Sequence, residues 1–381
     1  MRRCDELGAI SDEPGCITRT FHSPAMQRAN KLVASWMRDA GLSVREDAAF
    51  NLLGRWESSR RGAKTFLLGS HLDTVHNAGK YDGPLGVLLA IACVENLQTS
   101  GITLPFHLEI VGFSDEEGVR YQTTYLGSRS LAGTLTSKDL TTVTEKGIEK
   151  ARRMPSEFLG YAEAHIEQGP VLEAHNLGVG VVTAIAGQSR IRVEWEGRAG
   201  HAGTTPMNLR RDALCAAAEL TLAARGCGVI ATVGQLVVKP GASNVIPGDV
   251  TMSLDVRHQS DARRIAAVRK LHTQAKTIAK LTGVKLTWTL VQQTNSVNCD
   301  AALTGLMRKA TAHHERKVLS LPSGAGHDAA AIAALCPVSM LFLRCKGGIS
   351  HHPDESVKTA DVAKGIAVMT DFLLALKEAH K

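Results

Sequence analysis

The stretch Phe66-Leu67-Leu68-Gly69-Ser70-His71-Leu72-Asp73-Thr74-Val75, with Tyr81-Asp82-Gly83 just beyond it, constrains this chain more than any other. Its apolar run, Phe66 to Leu68, reads as a buried strand that Gly69 is expected to end. His71 then stands just past the strand's carboxyl end, the side on which open α/β sheets bind ligands. An imidazole and the Asp82 carboxylate on one rim form a candidate metal pair. Asp73, two residues on, is suited to take the second imidazole N–H, the contact that fixes the tautomer of a ligand histidine. Alone, His-x-Asp also fits a polar loop around a structural histidine, so the assignment needs further ligands.

The chain supplies them at the ends of other strands. Residues 106–113 alternate and read as a second central strand, which exits into Ser114-Asp115-Glu116-Glu117-Gly118. Adjacent glutamates can divide labour: one ligates a cation while its desolvated neighbour acts as general base. Glu163-Ala164-His165-Ile166-Glu167-Gln168-Gly169-Pro170 follows a strand-like approach and offers His165. Residues 338–343 form another strand, which runs into Gly347-Gly348-Ile349-Ser350-His351-His352. His71, Asp82, Glu116, Glu117, His165 and His351 would therefore share one rim. Mixed imidazole and carboxylate ligands suit Zn²⁺, Mn²⁺ or Co²⁺. A carboxylate shared by two cations gives a two-metal site, with a water made nucleophilic at neutral pH.

Around these strands the pattern is helical. Ser23-Pro24 supplies an N-cap hydroxyl and a first-turn proline. Residues 84–97 read as a helix buried on most sides that starts beside Asp82, and residues 359–377 as a closing amphipathic helix. Between residues 187 and 294 the register changes. Strands are expected at 189–196, 229–238, 249–257 and 285–291, and helices at 208–225 and 261–281. That βαββαβ order suggests a ferredoxin-like insert with one sheet face free, a plausible dimer surface. The expected fold is α/β: a mixed-sheet di-metal catalytic domain with helices on both faces, from residues 1–186 and 295–381, interrupted by the α+β insert at 187–294. Within the insert, Gln188, His201 in a Gly-His-Ala-Gly turn, Asn244 and Arg257 stand out as polar positions. Each also fits a plain turn or surface role.

Composition narrows the function classes. The chain of 381 residues carries a net charge of +7, but no dense Lys/Arg run interleaved with aromatics. That favours a small anionic substrate over nucleic acid. The 8 cysteines include no Cys-x-x-Cys and are scattered through apolar patterns, which points to a reducing, cytoplasmic setting without disulfides. No apolar run reaches the roughly 18 residues that would suggest a membrane span.

Taken in order, the motifs resemble those of the M20 metallopeptidase superfamily. They are most similar to the amidohydrolase branch that holds allantoate amidohydrolases and N-carbamoyl-L-amino-acid hydrolases. The resemblance covers nearly the whole chain. It rests on Gly69 to Val75, Tyr81-Asp82-Gly83, Ser114 to Arg120, His165 to Pro170, Gly200 to Met207, Ser243 to Gly248, Ser323 to Ala329 and Gly348 to His351. It implies Asp82 as a bridging ligand between two divalent cations, Mn²⁺ foremost and Zn²⁺ or Co²⁺ as alternatives. Glu117 and His351 would complete one metal, His71 and His165 the other. Glu116 would be the general base and Asp73 would orient His71. Gln188, Asn244 and Arg257 match substrate-binding positions, with Arg257 on the substrate carboxylate. His201 matches a residue that supports the oxyanion in the other subunit of a homodimer, the insert acting as lid and dimerisation domain. Residues 116–128 and 340–348 are similar to plant-type allantoate deiminases. The expected reaction is hydrolysis of allantoate to ureidoglycine, by way of its carbamate, with ammonia and carbon dioxide. An N-carbamoyl-L-amino-acid hydrolase or β-ureidopropionase is the alternative, and an exopeptidase or a non-catalytic binding protein is less favoured. His352, where the branch more often has serine, leaves two adjacent histidines as possible ligands.

Overall fold

Strands that are apolar at successive positions can be buried only between two layers of helix. The central strands of the larger sheet are of that kind. The computed structural model describes residues 1–380 and divides into two compact units: Met1–Thr183 together with the chain from Cys299 onward, and Ala184–Asn298.

The first unit is built on a mixed sheet. Its strands run in the order Ser43–Glu46, Leu52–Trp56, His107–Phe113, Thr65–His71, Phe158–Ile166, Val338–Leu343 and Val179–Ile185. The four central strands, from His107–Phe113 to Val338–Leu343, are parallel, and the flanking pairs are antiparallel. Thr65–His71 is buried at every position. Side chains alternate across it. Phe66 and Leu68 join the core formed with Leu108, Ile110, Ala162 and the helix Pro84–Thr99. On the opposite face the short helix Asp328–Ile332 is tied to the sheet by Ala329 N–H donating to Glu163 Oε2 at 3.0 Å.

One expectation at the motif fails. Gly69 does not end its strand; it pairs with Val111, and the strand continues to His71. A Cβ at Gly69 would stand 1.9 Å from the Val111 carbonyl oxygen. The glycine is there for close approach to the next strand, and His71 is the strand's last residue. The helix Pro24–Asp39 starts as expected, with Ser23 Oγ accepting from Met26 N–H at 3.2 Å, a cap worth about 1 kcal/mol.

The second unit has an antiparallel sheet in the order Leu236–Lys239, Asp249–His258, Gly187–Glu196, Lys285–Thr294. The helices Ala213–Arg225 and Asp261–Thr282 cover one face through Ala216, Leu220, Leu271 and Ala275, against Ile191, Val193, Trp195, Val250 and Met252. The strand expected at 229–238 is split into Ile230–Thr232 and Leu236–Lys239. Both pair with Asp249–His258, but in registers that differ by one residue. Extra length around Gly234 is absorbed where Gln235 N–H donates to Ser253 Oγ, as at a β-bulge. The helix expected from 208 begins only at Ala213, because Asp212 Oδ1 caps it by accepting from Leu214 and Cys215 N–H.

Candidate metal centre

Each candidate ligand in the first unit leaves from the end of a strand or from the turn beyond it. His71 is the last residue of Thr65–His71, and His165 the penultimate residue of Phe158–Ile166. Asp82 sits in the turn before the helix Pro84–Thr99, and Glu116 and Glu117 follow the strand His107–Phe113. His351 lies in the loop after Val338–Leu343, with φ 56°, a left-handed conformation that few residues with a side chain adopt. Gly83, at φ 81°, lets the Asp82 turn close on His71, since a Cβ there would lie 2.3 Å from the imidazole Cε1.

These residues come together as two overlapping groups that share Asp82. The ligand atoms of His71, Asp82 and His165 lie within 4.8 Å of one another, as do those of Asp82, Glu117 and His351. Asp82 Oδ1 is 3.1 Å from His165 Nε2 and 3.8 Å from His71 Nε2, yet receives no hydrogen bond. On the other side, His351 Nε2 is 3.2 Å from Asp82 Oδ2 and 3.3 Å from Glu117 Oε1.

The imidazoles are oriented from behind. His71 Nδ1 lies 3.1 Å from the Asp73 carbonyl oxygen, and His165 Nδ1 lies 2.9 Å from that of Ile166. A carbonyl only accepts, so both rings carry a proton on Nδ1. Their Nε2 atoms, 3.5 Å apart, then face each other and the carboxylate. Three acceptors converging on one buried point repel unless a cation or protons lie between them. The donor set therefore fits divalent cations bound by nitrogen and oxygen.

The electrostatics describe the same conflict. Burial pushes the Asp82 carboxyl up, but the His165 and His351 imidazoles outweigh it and hold it well below the usual range. Burial pushes His71 down, and the carboxylates of Asp73, Glu116 and Asp82 raise it well above its ordinary value. Contact with Asp82 lifts His351 to about 9. Glu116 is driven well above the carboxylate range by burial, against the pull of His71 and with the repulsion of Glu117. Burial and the Asp82 charge push Glu117 up to about 7.

Asp73 does more than the motif reading expects. Its Oδ1 stands 3.5 Å from His71 Nδ1. Its two oxygens also accept from the backbone N–H groups of Glu116 and Glu117, at 3.0 and 3.2 Å. One carboxylate thus sets both the histidine and the paired glutamates. His352 is turned away: its Nδ1 lies 3.5 Å from Asp354 Oδ2. Of the two adjacent histidines, His351 is the one brought to Asp82.

Three contributors lie outside the residues singled out from the sequence. Gln168 Nε2 donates to Asp82 Oδ2 at 2.8 Å, and Ser350 Oγ donates to the same oxygen. Glu355 Oε1 accepts from the N–H groups of Tyr81 and Asp82, at 2.7 and 3.0 Å. Glutamine at 168 and glutamate at 355 fall inside the quoted motifs or beside them. Nothing in their spacing links them to Asp82.

The polar residues of the second unit form two pairs. Gln188 and Arg257 are register partners on neighbouring strands. His201 pairs with Val245, and Ala202 N–H donates to the Asn244 carbonyl at 2.9 Å, which sets His201 beside Asn244.

Comparison with known proteins gives a consistent result. The sequence profile described as peptidase family M20/M25/M40 matches residues 67–375. A probable allantoate deiminase of Oryza sativa subsp. japonica is 41% identical, over 96% of this chain and 86% of its own length. An N-carbamoyl-L-amino acid amidohydrolase of Geobacillus stearothermophilus is 40% identical, over 97% of this chain and 95% of its own. The crystal structure of an amidase of the hydantoinase/carbamoylase family from Burkholderia multivorans superposes with a TM-score of 0.92 at 30% identity, covering 98% of this chain and 96% of that one.

Proposed function

Because the chain belongs to peptidase family M20/M25/M40, we propose that it is a metal-dependent amidohydrolase acting on allantoate. Water attacks one ureido carbonyl and the C–N bond to the terminal amine breaks. Ammonia leaves together with a carbamate, which decomposes to ureidoglycine and carbon dioxide. The observation that carries this reading is Asp82 standing in two ligand groups, one with His71 and His165 and one with Glu117 and His351, while Glu116 groups with His71 and Glu117.

In this reading Asp82 with His71 and His165 would hold one divalent cation, and Asp82 with Glu117 and His351 would hold a second. Mn²⁺ is the working ion, with Zn²⁺ and Co²⁺ as alternatives. Cations held there polarise the carbonyl and acidify water enough for its deprotonation near neutral pH. Glu116 takes the proton from the attacking water and delivers it to the departing nitrogen. A carboxyl whose proton affinity is raised by burial suits that exchange. Asp73 fixes Glu116 through its backbone. Asn244 and Arg257 hold the substrate carboxylate, Arg257 through charge-assisted hydrogen bonds, and Gln188 makes a further substrate contact. His201, supplied by the partner in a homodimer, supports the oxyanion. The insert read at residues 187–294 serves as lid and dimerisation domain, and the enzyme works in the cytoplasm on a small anionic ureide. Among the described residues no helix is long and apolar enough to cross a membrane.

The similarity to the Geobacillus enzyme keeps one alternative, an N-carbamoyl-L-amino-acid hydrolase. The same centre would serve it with a different pocket. The deciding experiment reconstitutes metal-free protein with Mn²⁺ and measures ammonia release from allantoate, N-carbamoylglycine and β-ureidopropionate. Preference for allantoate supports the proposal. Preference for a carbamoyl amino acid moves the substrate and keeps the mechanism. No ammonia from any of the three, with two metals bound, overturns the reading.

A further inference from the structure

In the second unit a single carboxylate gathers two of the polar side chains assigned above to the substrate, Gln188 and Arg257. Gln188 pairs with Arg257 across two antiparallel strands, and the next pair on the same face is Arg190 with Asp255. This is the face away from the helices: Ser189, Ile191, Leu254 and Val256 point inward and are buried. Gln188 Nε2 donates to Asp255 Oδ2 at 2.5 Å. Arg257 donates through Nε to Oδ1 at 3.0 Å and through Nη2 to Oδ2 at 3.2 Å. Arg190 Nε lies 3.4 Å from Oδ2.

Two consequences follow from the chemistry of these groups. An amide has a donor end and an acceptor end. With the Gln188 donor end held by Asp255, its carbonyl oxygen is the end presented elsewhere, and a carbonyl oxygen receives an N–H. A guanidinium held at two of its nitrogens is also fixed in plane and direction before any ligand arrives, which lowers the entropy lost on binding. Two guanidiniums around one carboxylate leave the patch positively charged.

Resting on the reading that Gln188 and Arg257 grip the substrate, we propose that Asp255 is the positioning residue that sets the polarity of that grip. It turns Gln188 so that the amide oxygen accepts a ureido N–H, and it holds Arg257 for the neighbouring carboxylate. The ligand so recognised is an acid that carries an N–H donor close to its carboxylate. Asp255 itself touches neither reacting atom. The rival role for the same geometry is a competitor: Asp255 would occupy Arg257 in place of the substrate and have to be displaced.

The test is steady-state kinetics of the Mn²⁺-loaded enzyme with allantoate, N-carbamoylglycine and the uncharged N-carbamoylglycinamide. Wild type, Asp255→Ala, Asp255→Asn and Arg257→Ala are compared. Asp255→Ala is expected to raise KM for the acids about tenfold, with kcat within about twofold, and to raise KM for the amide by a smaller factor, since the amide keeps the ureido N–H but lacks the carboxylate. Asp255→Asn keeps one acceptor oxygen in nearly the same volume and is expected to fall between wild type and alanine. It carries the test if the alanine variant does not fold. If Arg257→Ala raises KM while the Asp255 variants leave it unchanged or lower it, Asp255 is a bystander or a competitor and the inference is overturned with the grip intact. If Arg257→Ala itself leaves KM for the acids unchanged, the grip was assigned wrongly and the inference falls with it.

Discussion

Glu355 holds Asp82 by its main chain: Oε1 accepts the Asp82 N–H at 3.0 Å, across 273 positions of sequence. The same oxygen takes the Tyr81 N–H at 2.7 Å, and Oε2 lies 3.3 Å from Ser350 Oγ, beside His351. One side chain therefore ties the turn that carries Asp82 to the loop that carries His351. Glu355→Ala leaves two buried N–H groups without acceptors, at about 1–3 kcal/mol each. Metal affinity is expected to fall by roughly 10–100-fold, with a lower melting temperature, while Glu355→Gln, which keeps an acceptor oxygen, loses less. Metal content after dialysis against a graded chelator series reads the effect.

Gly83→Ala tests the cradle around His71. Alanine there must accept φ near 81° and push its Cβ to 2.3 Å from the imidazole. The ring moves, and a ligand displaced by about 1 Å costs on the order of 10²-fold in rate. Metal analysis should show depletion in the variant, with an unchanged far-ultraviolet circular dichroism spectrum showing that the helix Pro84–Thr99 persists.

Glu116→Gln separates binding from chemistry. The amide cannot take a proton from water, so turnover is expected to drop by ~10²–10⁴ while metal content stays at the wild-type level. A variant that works within about tenfold of wild type would remove Glu116 from the general-base role.

Much of this candidate centre could be read from the sequence because its candidate ligands cluster at strand exits. A strand leaves an apolar signature, and a histidine or acid just after it has few structural uses. His71, Glu116 and Glu117 were legible for that reason. The assignment of Gly69 as a terminator failed because a glycine in a strand looks the same whether it stops the ladder or admits a neighbour's carbonyl. Only the Val111 contact distinguishes the two. Gln168, Glu355 and Asp255 were invisible as supports, because each acts on a residue far away in sequence and no periodicity records such a pairing. Between His351 and His352, the resemblance at Gly348 to His351 selects His351 where spacing alone does not. The geometry separates them through Asp82 and Asp354.

That separation predicts unequal mutants. His351→Ala removes the imidazole that faces Asp82 and Glu117, and should lower the bound metal content and cost nearly all turnover. His352→Ala breaks only an exposed contact with Asp354, which surface pairs of this kind make worth about 0–1 kcal/mol. Its activity should stay close to wild type. Equal loss in the two variants, seen by metal analysis and ammonia release, would show that both histidines serve the centre.

The proton affinities predict how metal loading depends on pH. His351, raised to about 9, is protonated at neutral pH in the metal-free protein, and Glu117, raised to about 7, is partly so. Both must release protons before they can ligate. Affinity should therefore rise with pH from 6 to about 9 and then level off. Calorimetric titration with Mn²⁺ in two buffers of different ionisation enthalpy should find more protons released per metal at pH 6 than at pH 9. Proton release that does not change with pH would contradict the assignment of these two groups.

The strand Val338–Leu343 lies between Phe158–Ile166 and Val179–Ile185, in the interior of the sheet, yet it is the last of the sheet's strands in the chain. On the ribosome, everything up to that point emerges with a slot open where the sheet should be continuous. Non-local pairing of this kind closes late. The nascent protein must carry two unsealed strand edges, and a half-built cluster of acids, until its final stretch arrives. A messenger truncated before the codons of Val338–Leu343 would therefore yield a chain without a stable remainder, prone to seek its missing strand in another copy.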